Sequence, residues 1–273
     1  MTSPACTRDQ DGIMSENHGS DPQSPPQRGM KAPGAGTLTM TAPRTAVYAP
    51  NAAESELALL YPQLPHTVRL GMIESADGKA AGPDGSSRSL NGPEDLRILR
   101  TLRAQADVVV VGAQTARAER YRSITLSEPL VRTRRLLGLR PGVDLAIVTQ
   151  SGDIPASLDP ESTWIVTTAG SPASARLGSD WQARILYAGS ASVEPQAMLS
   201  ELALRGLTRV LCEGGPVLAA HLLKSEVVDD YCLTTSPLTG GQTAPKTPPV
   251  PDGFTAAHQL VGGGFTMRRW RRP

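Results

Sequence analysis

The residues best placed to do chemistry fall in three short segments. In "VLCEGGPVLAAHLL" (210–223) an apolar run stops at Glu213, passes through Gly214, Gly215 and Pro216, and resumes as a second apolar stretch. Glycine permits backbone angles and close approaches denied to other residues, and proline suits the first turn of a helix. Free N–H groups at such a helix start favour an anion such as a diphosphate, with Glu213 facing the same cleft as an acceptor. A tight strand-to-helix turn carrying a surface acid explains the same residues equally well. In "VVVVGAQTARAERY" (108–121) Gly112 ends an apolar run and Thr115 could donate its hydroxyl to a phosphate, although an ordinary helix cap also fits. The third segment, "ESADGKAAGPDGSSRSLNGP" (74–93), carries the turn signals Asp77-Gly78 and Asp84-Gly85, which suit a hairpin or a flap. It holds no GxxxxGK(S/T) phosphate loop.

Other chemistries find little support. His18, His66, His221 and His258 are scattered, and none stands at metal-ligand spacing from another His or Cys. Three cysteines, odd in number and far apart, suggest free thiols in a reducing compartment. The 27 basic and 26 acidic residues balance, so no net field draws nucleic acid or an acidic membrane. Aromatic residues make up only 4% of the chain, too few for base-stacking platforms. The arginines of "MRRWRR" (267–272) fit alternation on an edge strand, and "RTRRLLGLR" (132–140) fits a solvated helix face. No run approaches the ~20 apolar residues of a membrane span. A cytoplasmic protein with no membrane and no nucleic-acid partner is expected.

The elements that must position these residues begin beyond residue 45. Residues 1–45 are rich in Pro, Gly, Ser and Thr, with too little apolar surface to offset ordering entropy, and read as a disordered tail. "TVRLGMIES" (67–75) reads as a strand. "NGPEDLRILRTLRA" (91–104) reads as a helix with Asn91 as N-cap and Pro93 in its first turn. Runs at 106–113, 144–149, 163–168, 183–189 and 208–214 are apolar without alternation, the mark of strands covered on both faces. Helices are expected at 194–206 and 216–224, and further strands at 228–238 and 265–272, the closing ones antiparallel at an edge. This order implies an α/β domain over residues 50–273 with a mostly parallel sheet.

Taken in order, "ESADGKAAGPDGSS", "LRAQADVVVVGAQTARAERY" and "LCEGGPVLAAHLL…VDDYCLTTSPLTGG" resemble the reductase domain of the bacterial riboflavin-biosynthesis deaminase-reductase. That is the pyrimidine reductase family, and the likeness spans about residues 65–270. It implies a dihydrofolate-reductase-like three-layer sandwich, α/β, around a central, mostly parallel mixed sheet. It implies NADPH-dependent reduction of the ribose of a 5-amino-6-(5-phosphoribosylamino)uracil-type substrate to a ribityl chain, by hydride transfer to C1′, in a homodimer. Carried over by position, the resemblance puts NADPH against Glu74, Gly112, Thr115 and Glu119, and its diphosphate on Gly214, Gly215, Pro216, Val217 and Leu218. Thr149 or Ser151 would hold the 2′-phosphate. Substrate would meet Ser87, Ser89, Arg103 and Glu213, with Arg103 gripping the ribose phosphate. Asp77, in a Ser-x-Asp-Gly signature, would handle the proton.

The chain departs from the family pattern in four ways. It lacks the His-x-Glu and Pro-Cys-x-x-Cys of the deaminase domain, so no deamination is expected. Gly71 replaces a frequent lysine or polar residue, and Glu74 a small one. Residues 119–123, Glu-Arg-Tyr-Arg-Ser, replace Asp-Asn-Pro and a substrate-binding Leu-Thr-x-Arg, leaving Arg120 or Arg122 as substitutes. These departures keep two alternatives open: a reductase of another heterocycle such as a pterin or folate, and a non-catalytic nucleotide-binding dimer.

Overall fold

Residues 38–41, 46–48 and 54–273 are described by the computed structural model, all within one compact unit, Pro33–Pro273. The first strands are β1 (Leu38–Thr41), β2 (Ala46–Tyr48) and β3 (Thr67–Glu74), with helix α1 (Glu54–Ala58) before β3. Next come α2 (Pro93–Gln105), β4 (Val108–Gly112), α3 (Ala113–Ala118), α4 (Glu128–Leu136), β5 (Asp144–Val148) and β6 (Thr163–Thr167). The chain continues through α5 (Ala173–Arg176), β7 (Ile185–Tyr187), α6 (Pro195–Ala203), β8 (Arg209–Cys212) and α7 (Pro216–Lys224). It closes with β9 (Asp230–Thr235), β10 (Thr255–Gly262) and β11 (Phe265–Arg271).

These strands form one sheet in the order β2-β1-β10-β11-β9-β3-β8-β4-β5-β6-β7. From β9 to β7 every pairing is parallel, and from β9 outward through β11, β10, β1 and β2 every pairing is antiparallel. Period-two alternation explains the uninterrupted apolar runs. Val109 and Val111 of β4 pack into one cluster with Leu57, Ile98 and Leu102, whereas Val108 and Val110 pack into a second with Met198, Leu202 and Leu222. Each such buried side chain contributes on the order of 1.5–3 kcal/mol. The three-layer α/β architecture expected from the sequence is present.

Several expectations need correction. Leu38–Thr41, assigned to the tail, pairs antiparallel with β10, because that outer strand offers unpaired backbone groups; the other residues of 1–45 lie outside the described residues. The β10 strand itself was not foreseen, its alternation being broken by a register shift between Ala256 and His258. Helix α2 is capped by Gly92 rather than Asn91, with Pro93 in its first turn as expected.

The arginine-rich segments also differ. β11 is an interior strand, and its Arg269 is buried beside Arg69, both bonded to the Asp230 carboxylate (2.8 and 2.6 Å). They also bind backbone carbonyls of residues 60–62, which fixes the chain entering β3. Arg134, expected on a solvated helix face, is fully buried. It donates to the carbonyls of Ala104, Ala106, Arg140 and Gly142, stapling the end of α2 to the loop before β5. Burial lowers its pKa to about 10, so it remains charged.

Candidate active site

At the carboxyl ends of the parallel strands, where α/β sheets gather ligands, lies a cavity of about 900 Å³. Its wall at β4 and β8 is backbone. The Gly112 N–H donates to the Gly214 carbonyl (2.8 Å), joining the two strand ends. Gly214 has φ +88°, and a side chain there would strike the Met72 sulfur. A Cβ on Gly215 would stand 2.4 Å from the Thr115 hydroxyl oxygen. Gly215 is also the N-cap of α7, with no side chain capping the helix, so its first N–H groups open beside Thr115. Gly112, Thr115, Gly215, Pro216, Val217 and Leu218 all line this wall. Such a cradle of glycine backbone, hydroxyl and uncapped helix start fits a diphosphate, and Gly214 serves it from behind through Gly112.

Glu213, one residue earlier, lines the cavity, yet its carboxylate is occupied. Arg103 of α2 forms two parallel hydrogen bonds to it (2.7 and 2.6 Å), and the Tyr121 hydroxyl donates at 2.5 Å. Burial opposes the Arg103 charge, but the Glu213 carboxylate outweighs it and holds the guanidinium's pKa up. Burial, reinforced by Glu213, raises the Tyr121 phenol well above its usual range, so the phenol stays a donor. Arg103, expected to grip a ribose phosphate, is not part of the cavity lining. An oppositely charged buried neighbour claims it.

The loop between β3 and α2 also differs from expectation. Asp77, expected to handle a proton, is exposed and outside the cavity. It accepts from the Gly240 N–H (2.8 Å) and the Ser75 hydroxyl (2.7 Å), which lower its pKa. It is a turn residue, anchoring residues 75–78 to the loop after β9. Glu74, at the end of β3, is likewise outside the lining; its carbonyl accepts from Ser236 (2.7 Å) and its carboxylate from Thr235 (3.1 Å). Ser89 is spent on Asp84 (2.6 Å). Ser87 does line the cavity, as does Glu119. Glu119 accepts from the Ser87 N–H (2.6 Å) and the Ser86 hydroxyl (2.9 Å), pinning the loop to the end of α3.

A second corner lies past β5. Thr149, Gln150 and Ser151 line it, and Arg117 of α3 joins them. Arg117 pairs with Asp153 (3.3 Å) and is 38% exposed, close enough to the surface to re-aim at an anion. Sequence reasoning missed Arg117, because one arginine on a short polar helix carries no local signal. It also missed Asp95 in the first turn of α2, 7% exposed and lining the cavity; an acid near a helix start reads as an ordinary dipole partner. His221, expected at a core or rim, is an exposed rim residue. Among the described residues no cluster of three or more His, Cys, Asp or Glu could hold a metal, and no helix is long and apolar enough to cross a membrane.

With this geometry in place, comparison with known proteins is decisive. Residues 66–264 match the model of the RibD C-terminal domain. The chain belongs to the RibD C-terminal domain family. Within that family it is similar to the 2,5-diamino-6-ribosylamino-4(3H)-pyrimidinone 5′-phosphate reductase of Archaeoglobus fulgidus, 27% identical over 183 residues, covering 65% of this chain and 84% of the relative. It is 31% identical over 179 residues to the riboflavin biosynthesis protein RibD of Mycobacterium tuberculosis, covering 65% of this chain and 44% of that protein. A crystal structure of a pyrimidine reductase-like protein from Corynebacterium diphtheriae superposes with TM-score 0.63 at 22% identity, covering 80% of this chain and 98% of that one. That likeness shows the fold: the dihydrofolate-reductase-like sandwich of the RibD reductase domains.

Proposed function

We propose that this RibD-family chain is an NADPH-dependent reductase of the riboflavin-biosynthesis type, converting the ribose of a 5-amino-6-(5-phosphoribosylamino)uracil-type substrate to a ribityl chain by hydride delivery to C1′. The observation that carries the reading is the convergence of Gly112, Thr115, Gly215 and the start of α7 on one wall of a cavity large enough for a dinucleotide and a small substrate. The name of the Archaeoglobus relative, a ribosylaminopyrimidinone 5′-phosphate reductase, supports the phosphorylated ribosylaminopyrimidine class, and the uracil form rests on the family resemblance. NADPH as coenzyme and a homodimer as the assembled form belong to the same reading and rest on the family resemblance.

The residues divide the work by position. Backbone N–H groups at Gly215 and the first turn of α7, with the Thr115 hydroxyl, hold the diphosphate. Thr149, Ser151 and Arg117 stand where a 2′-phosphate would be recognised. When bound, the reduced nicotinamide supplies the hydride. Ser87, Tyr121 and Glu213, the last held in place by Arg103, form the substrate wall, excluding water and fixing the substrate's approach. The apolar residues Ile98, Leu99 and Leu102 of α2 complete that wall.

One observation favours a second reading, reduction of a heterocycle without a ribose phosphate. The arginine expected to bind that phosphate, Arg103, is committed to Glu213. Coenzyme absorbance followed with the phosphorylated ribosylaminopyrimidine, its dephosphorylated form and dihydrofolate decides between them. Turnover of the phosphorylated compound alone supports the first reading. Turnover of dihydrofolate supports the second, and coenzyme binding with no turnover leaves a nucleotide-binding protein.

A further inference from the structure

Among the described residues three carboxyls line the cavity, and two of them are engaged: Glu213 by Arg103 and Tyr121, Glu119 by Ser86 and Ser87. Asp95 is the third. Its partners are neutral. The Thr234 hydroxyl at the end of β9 hydrogen-bonds to it, and the Asn91 amide, oriented to donate, reaches it at 3.3 Å while also reaching the Ser87 carbonyl at 3.1 Å. One turn further along α2, Ile98 and Leu99 line the same wall. A carboxyl so enclosed, with donors but no cation, keeps its proton more readily than an exposed one.

Resting on the reductase reading above, we infer that Asp95 is a catalytic residue of this chain, the carboxylic acid that supplies the proton accompanying reduction in this cavity. Burial raises its pKa to about 6 against the pull of the Thr234 hydrogen bond, with a smaller push from the like charge of Glu213. The other titratable or charged groups around the cavity include Glu119, Tyr121, Tyr61, His221, Arg117, Arg268 and the paired Arg103, and burial holds the Tyr61 phenol well above its usual range. Tyr121 is committed to Glu213 and His221 sits on the exposed rim. Cys232 lines the cavity, but burial raises its thiol's pKa.

The step balances. Hydride, two electrons and a proton's mass from a reduced nicotinamide, adds to the carbon of a C=N bond, and the π pair moves to nitrogen. The Asp95 O–H bond breaks, an N–H bond forms, and the carboxylate regains a proton from water. Such general-acid help is worth on the order of 10²–10⁴ in rate.

The test is Asp95→Asn, isosteric and unable to supply the proton, read in two ways. First, because the folded pKa of Asp95 is raised, its contribution to stability is full below about pH 3.8 and is lost as pH rises through about 6. The Asn variant therefore melts with the wild type at pH 4 and several degrees above it at pH 8. Second, its NADPH Kd stays within about twofold while kcat falls at least about 100-fold. Thr234→Val, which removes a donor favouring the carboxylate, moves the alkaline limb of the wild-type kcat profile upward. Identical melting of Asn variant and wild type at every pH, or full turnover by the variant, overturns the role of Asp95. Absence of turnover by the wild type overturns the reductase reading itself, and this role with it.

Discussion

Arg103 and Glu213, 110 residues apart in sequence, meet through two parallel hydrogen bonds of 2.7 and 2.6 Å, with the Glu213 side chain only 4% exposed. The pair joins the last turn of α2 to the strand end that carries the glycine cradle. It therefore fixes the α2 wall and the glycine wall of the cavity relative to each other. Removing one partner leaves the other charge buried without compensation. Arg103→Ala is expected to lower unfolding free energy by about 3–5 kcal/mol in urea titration, and adding Glu213→Gln is expected to recover part of that. Strictly additive losses in the double variant would contradict the pairing.

A Cβ on Gly215 would stand 2.4 Å from the Thr115 hydroxyl oxygen, so a side chain there forces that hydroxyl to move. Gly215→Ala is expected to raise the NADPH Kd at least about tenfold, equivalent to roughly 1.4 kcal/mol, by calorimetry. Combining it with Thr115→Ala removes the clash but also a phosphate donor. The double variant should regain thermal stability without regaining affinity. Wild-type affinity in Gly215→Ala would show that the diphosphate lies elsewhere.

Arg117 is expected to distinguish the two coenzymes. Beside Ser151 and Thr149 it supplies the cation at the corner assigned to the 2′-phosphate. Arg117→Ala is expected to raise the KM for NADPH about tenfold, a charge-assisted contact of roughly 1.4 kcal/mol, and to leave that for NADH unchanged. Equal effects on both would remove Arg117 from phosphate recognition.

His258 sets an acid limit on stability. Its ring packs edge-on against Tyr61, its Nε2 has no hydrogen-bond partner, and Arg269 and Arg69 are near it. Burial first, then Arg269, lowers its pKa to about 4. The unfolded chain binds the proton at about pH 6.5 and the folded one resists it. Stability is therefore full above pH 6.5 and falls as pH drops to 4, by up to about 3 kcal/mol. Melting temperatures of wild type and His258→Phe at pH 7, 5.5 and 4 check this. The variant should lose less on acidification.

Much of the scaffold was legible along the chain. The helix expected at 216–224 spans Pro216–Lys224, and the unalternating runs became β4, β5, β6, β7 and β8. Buried strands and capped helices have local signatures: runs of valine, a proline at a helix start, a glycine at a strand end. The glycine cradle was legible for the same reason, since backbone approach needs glycine wherever it occurs. β10 was missed because its bulge erased the alternation that marks a strand.

The polar side chains were another matter. Asp77, Ser89 and Glu74 have the residue types of a site, yet each is engaged by a neighbour outside the cavity lining, and Arg103 is spent on Glu213. Asp95, which looked ordinary, is the carboxyl left enclosed. The sequence by itself determined most of the strands and helices from β3 onward and the glycines at the strand ends, because those depend on properties of adjacent residues. Only the tertiary structure decided which charges are spent on one another and which carboxyl is enclosed with neutral partners, because pairing and desolvation depend on groups brought together from distant parts of the chain.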